Sequence, residues 1–384
     1  MRAGLTSTAL VVLVPGLLVL AGGFLPDAPA FSRLGALLND GVGWVWASVL
    51  GATLLSTLAV ALGGHRGTLV LLSLSLVATA GAGLVTASYI TFARDHGSTF
   101  DVLRTLAASP APRRADEYVT YATVDGVDLR AGIWRRTDGQ PSPGTNGRAA
   151  LLFVHGGAFV SGGLDSRPAL FASLVARGTA VIDIEYRLTP PPRWNEAPAD
   201  VLCALGWLRT VAIDEGIDPD RVVIMGESAG GSLALLAAYA AGTGQLAPSC
   251  PGDPIIPAGV IAVAPAADLV GIWQDATIVA EDRRFPEAYI GGPPSEHPDR
   301  YELASPFRLI RADVPPTLLI AAENDHLVRL ARVTAIADAL KAAGASYRLL
   351  VAPFVDHGFD GPPNGFGARL EEAVVAAFLV DVAG

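Results

Sequence analysis

Two hydropathy patterns divide the chain. Residues 3–26, 41–64 and 67–93 form three runs without a charged side chain, each at least 24 residues long. Arg2, Asp27, Arg33, Asp40 and Arg66 are the only Asp, Glu, Lys or Arg before residue 94. A helix needs about 20 apolar residues to cross the hydrocarbon core. In lipid its backbone must be paired within the segment, so helix is the expected state. The pattern predicts a membrane region over 1–93, with transmembrane helices near 5–25, 42–63 and 68–92. Pro15 and the many glycines are compatible with membrane helices, where small residues allow close packing. Three such runs in succession argue against buried helices of a soluble fold. Arg2, the first run and Ala28-Pro29-Ala30 loosely fit a cleaved signal, but the run is long for one and two further spans follow.

After a linker at 94–114 the pattern changes, and 115–384 reads as a second domain. Segments 118–123 and 127–134 read as strands around Asp125-Gly126, a hairpin signal. Residues 140–147 form a polar Pro/Gly loop. Short apolar strands at 149–154, 180–184, 222–225, 260–264, 317–321 and 347–351 alternate with helices at 197–215, 228–241, 328–343 and 369–380. That alternation predicts an α/β fold, a mostly parallel sheet with helices on both faces. Residues 267–311 interrupt it, rich in Pro, Asp and aromatics, and read as an insertion or cap over the sheet edge where open α/β folds bind ligands.

Charge narrows the function. Charged residues are 17% of the chain, the net charge is −10, and Lys341 is the only lysine. This balance excludes a nucleic-acid binder, which needs cations against phosphate. An apolar content of 51% excludes a wholly disordered chain. Two cysteines, Cys203 and Cys250, exclude a disulfide-stapled scaffold, and no spacing argues for pairing them. Cys203 reads as a core residue on an apolar helix face. Three spans with the N-terminus inside, or a cleaved signal and two spans, both place the C-terminal domain outside the cytoplasm.

Candidate chemistry centres on Gly226-Glu227-Ser228-Ala229-Gly230, a G-x-S-x-G motif between an apolar strand and an Ala/Leu-rich helix. The glycines permit a sharp turn that raises the Ser228 hydroxyl at a helix N-terminus. Serine needs a base. His357, in a loop past the last strand, is that base. Its acid should follow the penultimate strand: Asp325 is best placed, with Glu323 the rival. Asp356 reads as a loop cap. His326 stands too close to Asp325 in sequence to be oriented by it. His155-Gly156-Gly157-Ala158-Phe159 follows a strand, and its glycines let the backbone present N–H groups to an oxyanion. Gly157, Ala158 and Ala229 are the expected donors, with His155 holding the loop. Glu185-Tyr186-Arg187 and Asp200 read as pins for loops around the sheet. No cluster has metal-ligand spacing, and no phosphate-binding loop is present.

These segments together resemble the α/β-hydrolase superfamily, and within it the esterase/lipase group that includes hormone-sensitive-lipase-like and related carboxylesterases. The resemblance covers 115–384 and rests on HGGAFVSGG at 155–163, EYRLTP at 185–190, GESAGGS at 226–232, ASPF at 304–307, END at 323–325 and DHGF at 356–359. It implies a Ser228–Asp325–His357 triad, an oxyanion hole supported by the His155, Gly156 and Glu227 motif positions, no cofactor and no metal, and hydrolysis of carboxylic esters. Ala158 stands where the group commonly has glycine, and residues 1–93 have no counterpart in its usual soluble members. The expected protein is a multi-pass, membrane-anchored serine hydrolase acting on a small-molecule or lipid ester among membrane lipids. An acyltransferase or lipid-modifying enzyme of the cell envelope with the same triad is the alternative. A non-catalytic receptor would predict a broken triad. The sequence sets no oligomeric state.

Overall fold

The computed structural model describes residues 2–28, 31, 33–109, 111–135, 147–276 and 283–384. Most of the polar loop at 140–147, and Pro29 and Ala30 of the candidate cleavage site, lie outside the described residues. The chain forms two compact units. One comprises Met1–Pro110, Ala322–His326 and Ala352–Val374, the other Ala111–Ala321, Leu327–Val351 and Val375–Gly384. The division therefore differs from a simple boundary near 93–115: two short segments from late in the chain join the N-terminal helices.

In the first unit, α1 (Arg2–Phe24), α2 (Leu38–Ala61) and α3 (Arg66–Asp95) lie on the three uncharged runs. Pro15 sits inside α1. α1 packs on α2, and α2 on α3. Small residues make this contact close: a methyl on Gly16 would come within 3.0 Å of Ser48 Oγ, and Ala52, Ala59, Ala78 and Ala82 are buried. The Ser48 hydroxyl donates to the Val12 carbonyl, and Trp46 Nε1 donates to Thr86 Oγ1 at 2.8 Å. The other faces are apolar and open, with Val11, Leu54, Leu58, Val70 and Val77 exposed. Only 28–33% of the residues in each apolar window are buried, although all three helices are long and apolar enough to cross a membrane. Core helices of a soluble fold would hide such surfaces.

The second unit is built on an eight-stranded sheet of order β1-β2-β4-β3-β5-β6-β7-β8. β1 (Glu117–Val124) and β2 (Val127–Trp134) form an antiparallel hairpin, closed at Val124 opposite Val127. Asp125 (φ 51°) and Gly126 (φ 77°) both adopt the left-handed conformation that a two-residue hairpin turn of this hand requires. β2 runs antiparallel to β4 (Ala180–Ile184), and β4, β3 (Arg148–Val154), β5 (Ile217–Glu227), β6 (Gly259–Val263) and β7 (Thr317–Ala322) are parallel. β8 spans Tyr347–Ala352. The central strands are buried nearly throughout, as expected where helices cover both faces.

The connecting helices are α4 (Pro168–Ala176), α5 (Glu196–Val211) and α6 (Ala229–Ala240). The insertion holds α7 (Leu269–Asp275), α8 (Arg284–Ile290) and α9 (Pro298–Leu303). α10 spans Leu330–Ala343, and α11 spans Phe366–Ala383. The hydropathy pattern did not reveal α4, whose nine residues are too few to show a period. Arg187 and Asp200 form a buried bidentate pair, Nε to Oδ2 at 2.9 Å and Nη2 to Oδ1 at 2.8 Å, fixing the turn after β4 to α5. One expectation is corrected: Cys203 and Cys250 form a disulfide, with Cα atoms 5.3 Å apart. α5 places Cys203 where the loop at 245–257 crosses it, and Ser249 N also donates there, to the Ala199 carbonyl at 3.0 Å.

Candidate active site

Ser228 stands between the end of β5 and the first turn of α6, with φ 50° and ψ −116°. This conformation is strained for a residue with a Cβ. Three hydrogen bonds hold it: Ser228 N donates to the Val263 carbonyl at 2.8 Å, and its own carbonyl accepts from Ala266 N at 3.0 Å and Ser232 N at 3.2 Å. The flanking glycines are required by close approach. A methyl on Gly226 would strike the Gly230 carbonyl, and one on Gly230 would strike the carbonyls of Val154 and His155. Glu227 is turned away from the serine's role and pairs with the buried Arg167 at 2.6 Å.

β3 and β5 pair with Val154 opposite Gly226, so the loop after β3 emerges beside the serine turn. In that loop Gly157 (φ 113°), Ala158 (φ 56°) and Phe159 (φ 63°) have positive φ, and a methyl on Gly157 would strike the Ser161 carbonyl. Gly157's own carbonyl is occupied by the N–H groups of Val160 and Ser161, both at 3.0 Å. Among the described residues, the N–H groups of Gly157, Ala158 and Ala229 meet no backbone acceptor outside regular helix and strand bonding. The His155 ring scaffolds the loop. Its Nδ1 donates to the Gly156 carbonyl at 2.7 Å, it stacks on Tyr186 at 4.4 Å, and the Tyr186 hydroxyl donates to the His155 carbonyl at 3.1 Å. Burial holds its pKa below the ordinary histidine value, so the ring is neutral at pH 7.

The first unit carries the other two sequence-predicted groups. His357 Nδ1 lies 2.8 Å from Asp325 Oδ2. Glu323, the rival acid, instead accepts from Phe354 N at 2.9 Å. Burial disfavours the imidazolium of His357, but the Asp325 carboxylate, helped by Asp360 and Asp356, outweighs it and raises the pKa from 6.5 to about 9. A second pair interlocks with the first: His326 Nδ1 lies 2.8 Å from Asp356 Oδ1, which also accepts from His326 N at 2.9 Å and His357 N at 2.6 Å. Asp356 thus caps the loop as expected, from a buried position rather than a solvated one. Among the described residues no group of His, Cys, Asp and Glu could hold a metal ion.

Comparison with known proteins shows the family. Residues 140–340 match the BD-FAE family model, which is just over half the chain. The chain belongs to the BD-FAE family, within the α/β-hydrolases. It is 31% identical over 270 residues to ethyl acetate hydrolase of Pseudomonas putida, covering 66% of this chain and 77% of that one. It is 31% identical over 261 residues to Esterase LipQ of Mycobacterium tuberculosis, covering 66% of this chain and 58% of that one. The chain spans 56–60% of the length of LipQ and two further mycobacterial relatives. Among solved structures it is similar to Thermogutta terrifontis esterase 2 phosphorylated by paraoxon, with a TM-score of 0.56 and 25% identity over 69% of this chain and 94% of that one.

Three features of this BD-FAE family member carry no sequence signal. Arg167 as partner of Glu227 lies 60 residues from it, and His326–Asp356 spans 30. Asn39, 317 residues from Asp356, donates to the Asp356 and His357 carbonyls and accepts from Asp356 N. No spacing rule links positions so far apart.

Proposed function

We propose that the chain is a membrane-anchored serine esterase with Ser228 as nucleophile, His357 as base and Asp325 as its orienting acid. The observation that carries this reading is the strained Ser228 turn beside a glycine-rich loop in which Gly157 and Ala158 have positive φ and, among the described residues, their N–H groups meet no backbone acceptor. Ser228 Oγ attacks the ester carbonyl while His357 Nε2 takes its proton. The carbonyl π electrons move onto oxygen, where the N–H groups of Gly157, Ala158 and Ala229 stabilise the charge. Collapse expels the alcohol, which receives the proton from His357, and leaves an acyl-serine. Water, deprotonated by His357, repeats the sequence and releases the acid. Asp325 holds the Nδ1–H and stabilises the transient imidazolium.

The substrate is a carboxylic ester, free or drawn from the membrane. Three helices with open apolar faces support anchoring, and the Cys203–Cys250 disulfide supports an oxidising, extracytoplasmic location for the catalytic domain. The test is hydrolysis of p-nitrophenyl esters of increasing chain length by the full chain in lipid nanodiscs, with water and an added alcohol as competing acceptors. Release of free acid, lost by at least about 10³-fold in Ser228→Ala, is expected. Undiminished hydrolysis in that variant overturns the triad, and acyl transfer to the alcohol as the main product makes the enzyme a transferase.

A further inference from the structure

The loop that carries His357 runs from Pro353 to Gly365 without a strand or α-helix of its own. It contains Pro353, Pro362 and Pro363, which lack N–H donors. Such a loop must find partners for its peptide groups outside regular structure. At His357 those partners come from one side chain in the N-terminal helices. Asn39, in the first turn of α2, is buried, and its Oδ1 accepts from Asp356 N at 3.0 Å. Its Nδ2 donates to the carbonyls of Asp356 and His357, both at 3.3 Å. The orientation of the amide follows from these partners, since an N–H only donates and a carbonyl only accepts. One amide therefore holds the peptide groups on both sides of His357. The loop closes over the same point: a methyl on Gly365 would lie 2.5 Å from the Asn39 carbonyl.

The acid loop is tied down in the same neighbourhood. Asn324, next to Asp325, donates from Nδ2 to the Gly23 carbonyl at 2.8 Å, and its N–H donates to the Val355 carbonyl at 3.0 Å. Gly23 belongs to the last turn of α1, whose terminal carbonyls have no partner within the helix. The Phe24 ring packs edge-on against Phe354 at 5.3 Å. The acid and base loops are thus fastened to the end of one apolar helix and the start of the next. Asp325, Asp360 and Asp356 act electrostatically on His357, and His326 pairs with Asp356.

We propose that Asn39 is a positioning residue: its amide holds the His357 backbone so that the imidazole stays aligned with Asp325, which makes the membrane helices part of the catalytic apparatus. The proposal rests on the reading of His357 as the base. A small displacement of a catalytic group lowers the rate steeply while leaving substrate binding alone. The test uses the full chain in nanodiscs and p-nitrophenyl acetate. Asn39→Leu, close in size but unable to form the three bonds, is expected to lower kcat at least about tenfold with KM within about twofold. Asn39→Asp keeps the acceptor for Asp356 N; it is expected to recover part of that kcat and to move the acid limb of the pH–rate profile upward, because it adds a negative charge near the imidazole. Trp46→Phe, which removes a bond inside the helix bundle, is expected to leave kcat unchanged. If Asn39→Leu does not fold, Asn324→Leu tests the same fastening and is expected to show the same split. Wild-type kcat in the Asn39 and Asn324 variants overturns the proposal, as does an equal loss in Trp46→Phe, which would mark a general loss of stability. Full activity in His357→Ala would instead overturn the reading beneath it.

Discussion

The Asp325–His357 contact sets how the molecule should respond to pH. The folded-state pKa of His357, about 9, stands above its ordinary 6.5. The stabilisation from the charged pair is therefore fully present below pH 6.5 and is lost as pH rises through 9. The melting temperature should fall across that window, and Asp325→Asn should flatten the fall. With His357 as the proposed base, turnover needs the neutral ring, so kcat/KM should climb with pH towards 9 in the wild type. In Asp325→Asn the climb should move to lower pH, with a plateau lower by about 10⁴-fold. A profile that does not move would separate Asp325 from His357. At this scale the sequence was informative wherever chemistry is local. Ser228 is flanked by the glycines its turn requires, and Gly157 by the residues its loop closes on. The sequence already preferred Asp325 to Glu323 from its place after the strand; the contacts differ as that offset of two residues implies, Asp325 Oδ2 on the ring and Glu323 on Phe354 N. Asn39 was invisible, since a buried amide acting on a backbone 317 residues away leaves no pattern.

Among the elements, the strands were legible because parallel strands buried on both faces read as unbroken apolar runs. The apolar helices were legible for the complementary reason, that they lack charge over a membrane's thickness. The disulfide was not, since nothing in the sequence shows that the loop at 245–257 returns to α5. It closes a separation of 47 residues. In the chain-entropy model a loop of that size contributes about 4 kcal/mol. Replacing both Cys203 and Cys250 with alanine should lower the denaturation midpoint in urea with little change in kcat. An unchanged midpoint would mean that the hydrogen bonds from Ser249, Ile255 and Arg209 hold the loop without it.

At the scale of the whole molecule, an acidic hydrolase fold and a nearly uncharged helical region share one chain. The account predicts that the protein stays with membranes after alkaline carbonate extraction. It also predicts that a periplasmic-type phosphatase fused at the C-terminus is active; an inactive phosphatase alongside a fluorescent cytoplasmic reporter would put the catalytic domain on the other side. The proposed function stands or falls on Ser228 as nucleophile. The most direct measurement is covalent: treat the full chain with paraoxon or a fluorophosphonate and locate the phosphorus adduct by mass spectrometry. The account predicts one adduct, on the Ser228 peptide, absent in Ser228→Ala and formed far more slowly in His357→Ala. An adduct on another residue, or none while ester hydrolysis continues, would contradict it.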